Sequence, residues 1–235
     1  MIPPRRQSRE IALKALYQAE INNSDRIGSL KQVVADTLYA PVVETVVKEF
    51  LKSTKAQEIL SGEIEDFVPD FVDSISANPH ENEVDCKARL RQLLETSFPG
   101  VTVPESFIPE MASLYENLTE KLKKPAIVED FANEIINNIT NNNSAIEEAI
   151  EKIAKNWSLE RMAAVDRCIL KIAVSEFFYF PSIPVKATIN EAIELAKKYS
   201  TDRSYEFVNG ILDKISKENK FIKTDKTQSA PTKES

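Results

Sequence analysis

The chain predicts an all-α fold. Glycine is scarce, with 4 in 235 residues. Apolar residues recur at spacings of 3 and 4 rather than 2 along nearly the whole sequence, which is helical periodicity. Hydrophobic residues make up 42% and charged residues 29%, an ordinary composition for a globular protein. The length suffices for one core or two small ones.

The first element is "RRQSREIALKALYQAE", residues 5–20. Ile11, Ala12, Ala15, Leu16 and Ala19 form an apolar stripe on one side of a helix. Arg5, Arg6 and Arg9 stand at or just before its first turn. Cations are unfavourable at a helix N-terminus, which already carries roughly half a positive charge. A basic start is either a solvated, functionless feature or an external anion site, because forked guanidiniums and helix N–H groups both suit phosphate oxygens. On the second view the basic tip stays unneutralised until the anion arrives.

The following segment holds the chain's acidity. Residues 25–124 carry 18 Asp and Glu against 11 Lys and Arg, a net −7 that equals the charge of the whole chain. The remaining residues are therefore neutral overall, with positive charge clustered locally. The segment "SLKQVVADTLYAPVVETVVKEFLKS" has a helical pattern that Pro41 is expected to break. In "GEIEDFVPDFVDSI", Ile64, Phe67, Val68, Phe71, Val72 and Ile75 keep helical spacing around a kink or break at Pro69. "NPHEN" and "FPGVTVP" are turn signals. So many large apolar side chains predict a folded helical module.

After Pro125, "AIVEDFANEIINNI" and "SAIEEAIEKIAKN" predict two amphipathic helices parted by "TNNN", with Ser144 as N-cap of the second. "WSLERMAAVDRCILKIAVSEFFYF" predicts a central, mostly buried helix from Ser158, with Met162, Val165, Ile169, Ile172 and Ala173 on one face. "PSIP" ends it. "VKATINEAIELAKKY" turns Ile189, Ala192, Ile193 and Ala196 inward and pairs Glu194 with Lys198 at i, i+4. "STDRSYEFVNGILDKI" closes the fold through Val208, Ile211, Leu212 and Ile215. Gly210 within it predicts a close helix approach, since a helical glycine costs about 1 kcal/mol relative to alanine. From about Lys217 the polar tail is expected to be disordered.

Several function classes find no support in the residues. There is no glycine-rich phosphate loop, no G-x-S-x-G elbow and no H-E-x-x-H. His80 is the one histidine and falls in a turn-like stretch. Cys86 and Cys168 are too far apart in sequence to suggest a metal site or a disulfide scaffold, and are expected to be buried, reduced thiols. The adjacent acids Glu147/Glu148 and Glu65/Asp66 point in different directions on a helix and are expected on a solvated surface. No catalytic residue, cofactor or metal is expected. No apolar run approaches the ~20 residues that span a bilayer, and no apolar h-region follows the N-terminal arginines. A cytoplasmic location without membrane association is the expectation.

Four stretches, "RRQSREIALKALYQAE", "NWSLERMAAVDRCILKIAVSEF", "IPVKATINEAIELAKKYS" and "SYEFVNGILDKI", together resemble the NusB family of bacterial transcription antitermination factors. The resemblance covers roughly residues 5–24 and 126–216, in the family's order. It implies an all-helical fold of two packed helical subdomains that binds single-stranded boxA RNA. It also implies NusE, a ribosomal small-subunit protein, as a partner, and action with the RNA polymerase elongation complex on ribosomal RNA transcription. The expected division is 1–24 and 126–216 as the RNA-binding domain, 25–125 as an acidic helical insertion and 217–235 as tail. A bacterial source is implied, and a plastid one stays open.

Carried over by position, the resemblance places Arg5, Arg6, Arg9, Tyr17, Asp202, Ser204 and Phe207 near the RNA. Gln7 stands where a further basic residue is often seen, and Arg203 where an acid commonly precedes the serine. Phe207 and Tyr17 border apolar stripes, so each is either a core ring or a platform for an unpaired base; such stacking is worth ~1–3 kcal/mol per base. Asn190 and Asn209 are more easily structural. Two rival functions stay open: a protein-only adaptor working through the acidic insertion, and the NusB-like domain of a ribosomal RNA methyltransferase. The short stretch after "VNGILDKI" leaves no room for the catalytic part of the latter.

Overall fold

Every regular element formed by the described residues is helical. The computed structural model describes residues 3–53, 72–73, 82–97, 104–154 and 159–219. In chain order the elements are α1 (Pro4–Asn22), α2 (Arg26–Val34), α3 (Ala40–Leu51), α4 (Glu83–Ser97), α5 (Ile108–Asn141), α6 (Asn143–Ala154), α7 (Ala164–Tyr179), α8 (Val185–Tyr199) and α9 (Ser204–Glu218). A π turn, Ala35–Tyr39, joins α2 to α3. Single 3₁₀ turns, Glu105–Phe107 and Leu159–Arg161, precede α5 and α7.

The chain divides into two compact units. One holds the described residues up to Leu30 and from Asp130 onward, and the other lies within Lys31–Glu129. In the first unit α7 is central. Every residue from Cys168 to Phe177 is buried, and α1, α6, α8 and α9 all pack on this helix. Its apolar content predicts that position, because a helix apolar all round must be enclosed. The stripe of α1 (Ile11, Ala12, Leu13, Ala15, Leu16, Ala19) is buried as its spacing predicts. Val208, Ile211, Leu212 and Ile215 of α9 are buried too. Helix α1 ends at Asn23, whose left-handed backbone (φ 49°) suits a residue that tolerates that region. The second unit buries Val43, Val46, Val47 and Leu51 of α3 and sets Phe50 5.7 Å from Phe107.

Charges that enter the core of the first unit do so in pairs. Lys171 donates to Glu147 at 2.7 Å. Arg167 forms an ion pair with Glu20 and donates to the carbonyls of Leu159 at 2.6 Å and Met162 at 3.1 Å. A buried charge without such partners would be strongly unfavourable. Glu147 is thus half-buried and paired, where adjacency to Glu148 had suggested a purely solvated surface. Burial opposes its ionisation, yet the hydrogen bonds from Lys171 and Asn143 outweigh it and hold its carboxyl below the usual range.

The prolines interrupt less than expected. The chain stays helical across Pro41 because the π turn ahead of it replaces the bond that proline cannot donate: Ala40 N–H reaches back to Ala35 O, and Pro41 falls in the first turn of α3, where a missing N–H costs nothing. Helix α5 runs through Pro125, so "AIVEDFANEIINNI" is its second half rather than a new helix. Only Asn142 parts α5 from α6, and α6 begins at Asn143, which makes Ser144 its second residue and not its cap. Helix α7 starts at Ala164, leaving Met162 after the 3₁₀ turn and off the helix face; Ser158 lies outside the described residues.

Three further expectations change. A Cβ on Gly210 would meet nothing within 4 Å, so no helix approaches it closely. Glu194 pairs with Lys197 at 2.9 Å, while Lys198 goes to Glu10 on α1. Helix α9 continues to Glu218, two residues into the stretch assigned to the tail. Both cysteines are free and buried, as expected. His80, Pro69 and "FPGVTV" lie outside the described residues, as does most of "GEIEDFVPDFVDSI" and of the tail.

Candidate nucleic-acid interface

The basic start of α1 is neutralised by other helices, and this resolves the misplaced charge. Pro3 supplies no side-chain cap, and the first turn holds no acid. Instead, Arg6 makes a two-pronged bond to Glu191 of α8, Nε to Oε2 at 2.8 Å and Nη2 to Oε1 at 2.6 Å. Arg9 makes another to Glu176 of α7, Nε to Oε1 at 2.6 Å and Nη2 to Oε2 at 2.9 Å. Thr188 of α8 donates to the same Glu176 at 2.7 Å. Bidentate guanidinium–carboxylate pairs are the strong, directional kind. The expectation of an unneutralised tip is therefore corrected for Arg6 and Arg9.

The three arginines separate into three environments. Arg9 is an internal strut, its side chain 6% exposed. Arg6 is partly open, 40% exposed, above a Glu191 that is 20% exposed. The Arg6 bond holds the Glu191 carboxyl below its ordinary range and raises the Arg6 pKa. Arg5 is exposed and has no carboxylate partner among the described residues. Its guanidinium lies over the ring of Phe131, 5.5 Å from the centroid, and Arg9 lies over the same ring at 5.6 Å. Phe131 in turn meets Phe180 edge-on at 5.3 Å. This aromatic support restrains Arg5 without discharging it.

A charge-balanced cleft of about 310 Å³ continues from Arg6 between α1 and α8, lined by Arg6, Glu10, Glu191, Glu194, Leu195, Lys197 and Lys198. Lys198 donates to both oxygens of Glu10 at 2.8 and 2.9 Å, and Tyr199 adds a third bond at 3.1 Å. Lys197 reaches over the Tyr205 ring at 5.6 Å, which ties the cleft to the start of α9.

The other expected residues fall as follows. Tyr17 is 40% exposed on α1. Asp202 is exposed and Phe207 half-buried. Ser204 is buried, its hydroxyl bonded to those of Ser200 at 2.9 Å and Thr201 at 2.7 Å, so it organises the α8–α9 turn. Arg203 projects outward, 87% exposed, and meets Glu206 at 3.3 Å. Sequence reasoning missed Glu176, Glu191, Glu10 and Phe131. One signal was available: Glu176 is a lone acid in the apolar run "IAVSEFF" of a helix predicted to be buried, and such an acid demands a cationic partner.

Comparison with known proteins decides what this arrangement belongs to. The NusB family model matches residues 103–217. The chain carries a NusB-family domain. It is similar to transcription antitermination protein NusB of Geotalea uraniireducens, 55% identical over 85 residues, which cover 36% of this chain and 59% of the relative. It is likewise similar to NusB of Thermodesulfovibrio yellowstonii, 45% identical over 91 residues, covering 39% of this chain and 60% of that one. The chain thus spans about three-fifths of the length of these NusB relatives. A solved structure of T. maritima NusB aligns with 94% of this chain and 99% of its own, at 24% identity and a TM-score of 0.46. The NusB family match begins inside the stretch assigned to the insertion, and takes in all of α5.

Proposed function

We propose that this NusB-family chain is a non-enzymatic factor of bacterial transcription antitermination that binds boxA-type single-stranded RNA together with NusE in the cytoplasm. Two relatives bear the name transcription antitermination protein. The observation that carries the RNA reading is Arg5: an exposed guanidinium, braced on Phe131 at the N-terminus of α1, with no internal carboxylate. The helix end and the guanidinium direct their positive potential to the same place. Arg6 extends this surface and Tyr17 and Phe207 offer rings to bases, with Asp202 at the α8–α9 turn; Ser204 supports that turn. Arg9 acts from beneath, as the strut that fixes α1.

NusE would complete a surface too small to hold RNA alone, and the complex would travel with RNA polymerase on ribosomal RNA operons. The segment around residues 25–125 stands as an acidic insertion whose net charge keeps it off the RNA path. Titration of labelled boxA-type RNA against the full chain, with and without NusE, tests this. Binding that favours boxA over a scrambled RNA of equal length, and tightens with NusE, supports the proposal; equal affinity for both RNAs in the presence of NusE overturns it.

A further inference from the structure

The cations that line the α1–α8 cleft are each held by a carboxylate of the cleft itself: Arg6 by Glu191, Lys197 by Glu194 and Lys198 by Glu10. We propose that Glu191 and Glu10 act as internal stand-ins for phosphate, which screen the RNA face and limit its binding to polyanions that lack the cognate sequence. This rests on the RNA reading of the same surface and adds a specificity device to it.

Three observations carry the inference. Three cations and three acids line one cleft, so its field at a distance is close to neutral and long-range attraction of a polyanion is weak. The pairs are layered: Glu191 and Glu10 are 20% and 13% exposed, while Arg6 and Lys198 are 40% and 51% exposed. The carboxylates lie behind and the cations in front, where an incoming phosphate meets them first. Finally, Glu191 occupies only the Nε and Nη2 side of Arg6, and a guanidinium has five N–H donors. The remaining donors face the phosphate, but with a compensating charge already in place. Phosphate contact at Arg6 therefore releases little net counterion and contributes little affinity unless base contacts are made as well.

Glu191→Gln keeps an oxygen acceptor for Arg6 and removes the charge. The test compares wild type, Glu191→Gln and Glu148→Gln, which makes the same change of net charge at an exposed residue of α6, after thermal melting confirms that all three fold. The probes are boxA-type RNA, a scrambled RNA of equal length and a heparin column. Glu191→Gln is expected to bind both RNAs about 3- to 10-fold more tightly, with a log K against log salt slope steeper by about 0.7, and to leave heparin at higher salt than the other two. Unchanged or weaker binding, or an equal gain in Glu148→Gln, overturns the inference. If wild type binds neither RNA, the function proposed above fails, and the order of heparin elution still decides this one.

Discussion

Arg5 and Arg9 lie one helical turn apart, and their opposite surroundings predict opposite phenotypes. Arg9→Ala strands the buried Glu176 carboxylate, for which the expected cost is about 3–5 kcal/mol; at about 2–4 °C per kcal/mol this lowers the melting temperature by roughly 10 °C. Arg5→Ala removes an exposed cation–π contact, and less than about 1 kcal/mol of stability is expected to go with it. Thermal melting of the two variants side by side checks the contrast. Glu191 adds a pH dependence. Its folded carboxyl titrates below the ordinary value because Arg6 holds it ionised, so the pair stabilises the fold above pH ~4.5 and is lost as pH falls through the depressed value. The melting temperature of wild type should therefore drop more between pH 5 and pH 3 than that of Glu191→Gln. At Cys168 burial pushes the thiol up to about 11; native protein at pH 8 should leave it unalkylated, while denatured protein reacts fully, as peptide mapping after iodoacetamide would show.

At the scale of the element, spacing alone made the helices legible and local breakers misplaced their ends. The stripes of α1 and α9 and the burial of α7 follow from apolar periodicity, because burial repeats with the helix turn. Pro41, Pro125 and the "TNNN" tract mislead because a proline's missing bond is tolerated when a π turn or a first helical turn absorbs it, which depends on geometry a sequence does not display. Gly210 shows the same limit. It suggested helix contact, yet the space over it is open. Gly210→Ala is therefore expected to stabilise α9 by about 1 kcal/mol, raising the melting temperature by about 2–4 °C; a loss of stability would show that the added methyl is not tolerated there.

Across the whole molecule the distribution of charge matters more than its sum. The −7 of the chain is confined to residues 25–124, so the NusB-family domain meets an anion as a neutral body with a local basic tip. The stretches that identified the family were legible because they carry the periodic core together with unusual polar residues. The working arrangement of the tip was not, because Glu176, Glu191 and Phe131 reach α1 from helices more than a hundred residues away in sequence, and only folding brings them there. The central claim is that Arg5 is the tip's uncompensated phosphate contact. It is tested most directly by the salt dependence of boxA-type RNA binding for wild type and Arg5→Ala. The account predicts weaker binding in the variant and a log K against log salt slope shallower by about 0.7, with the melting temperature nearly unchanged. An Arg5→Ala protein that keeps wild-type affinity and slope would contradict it.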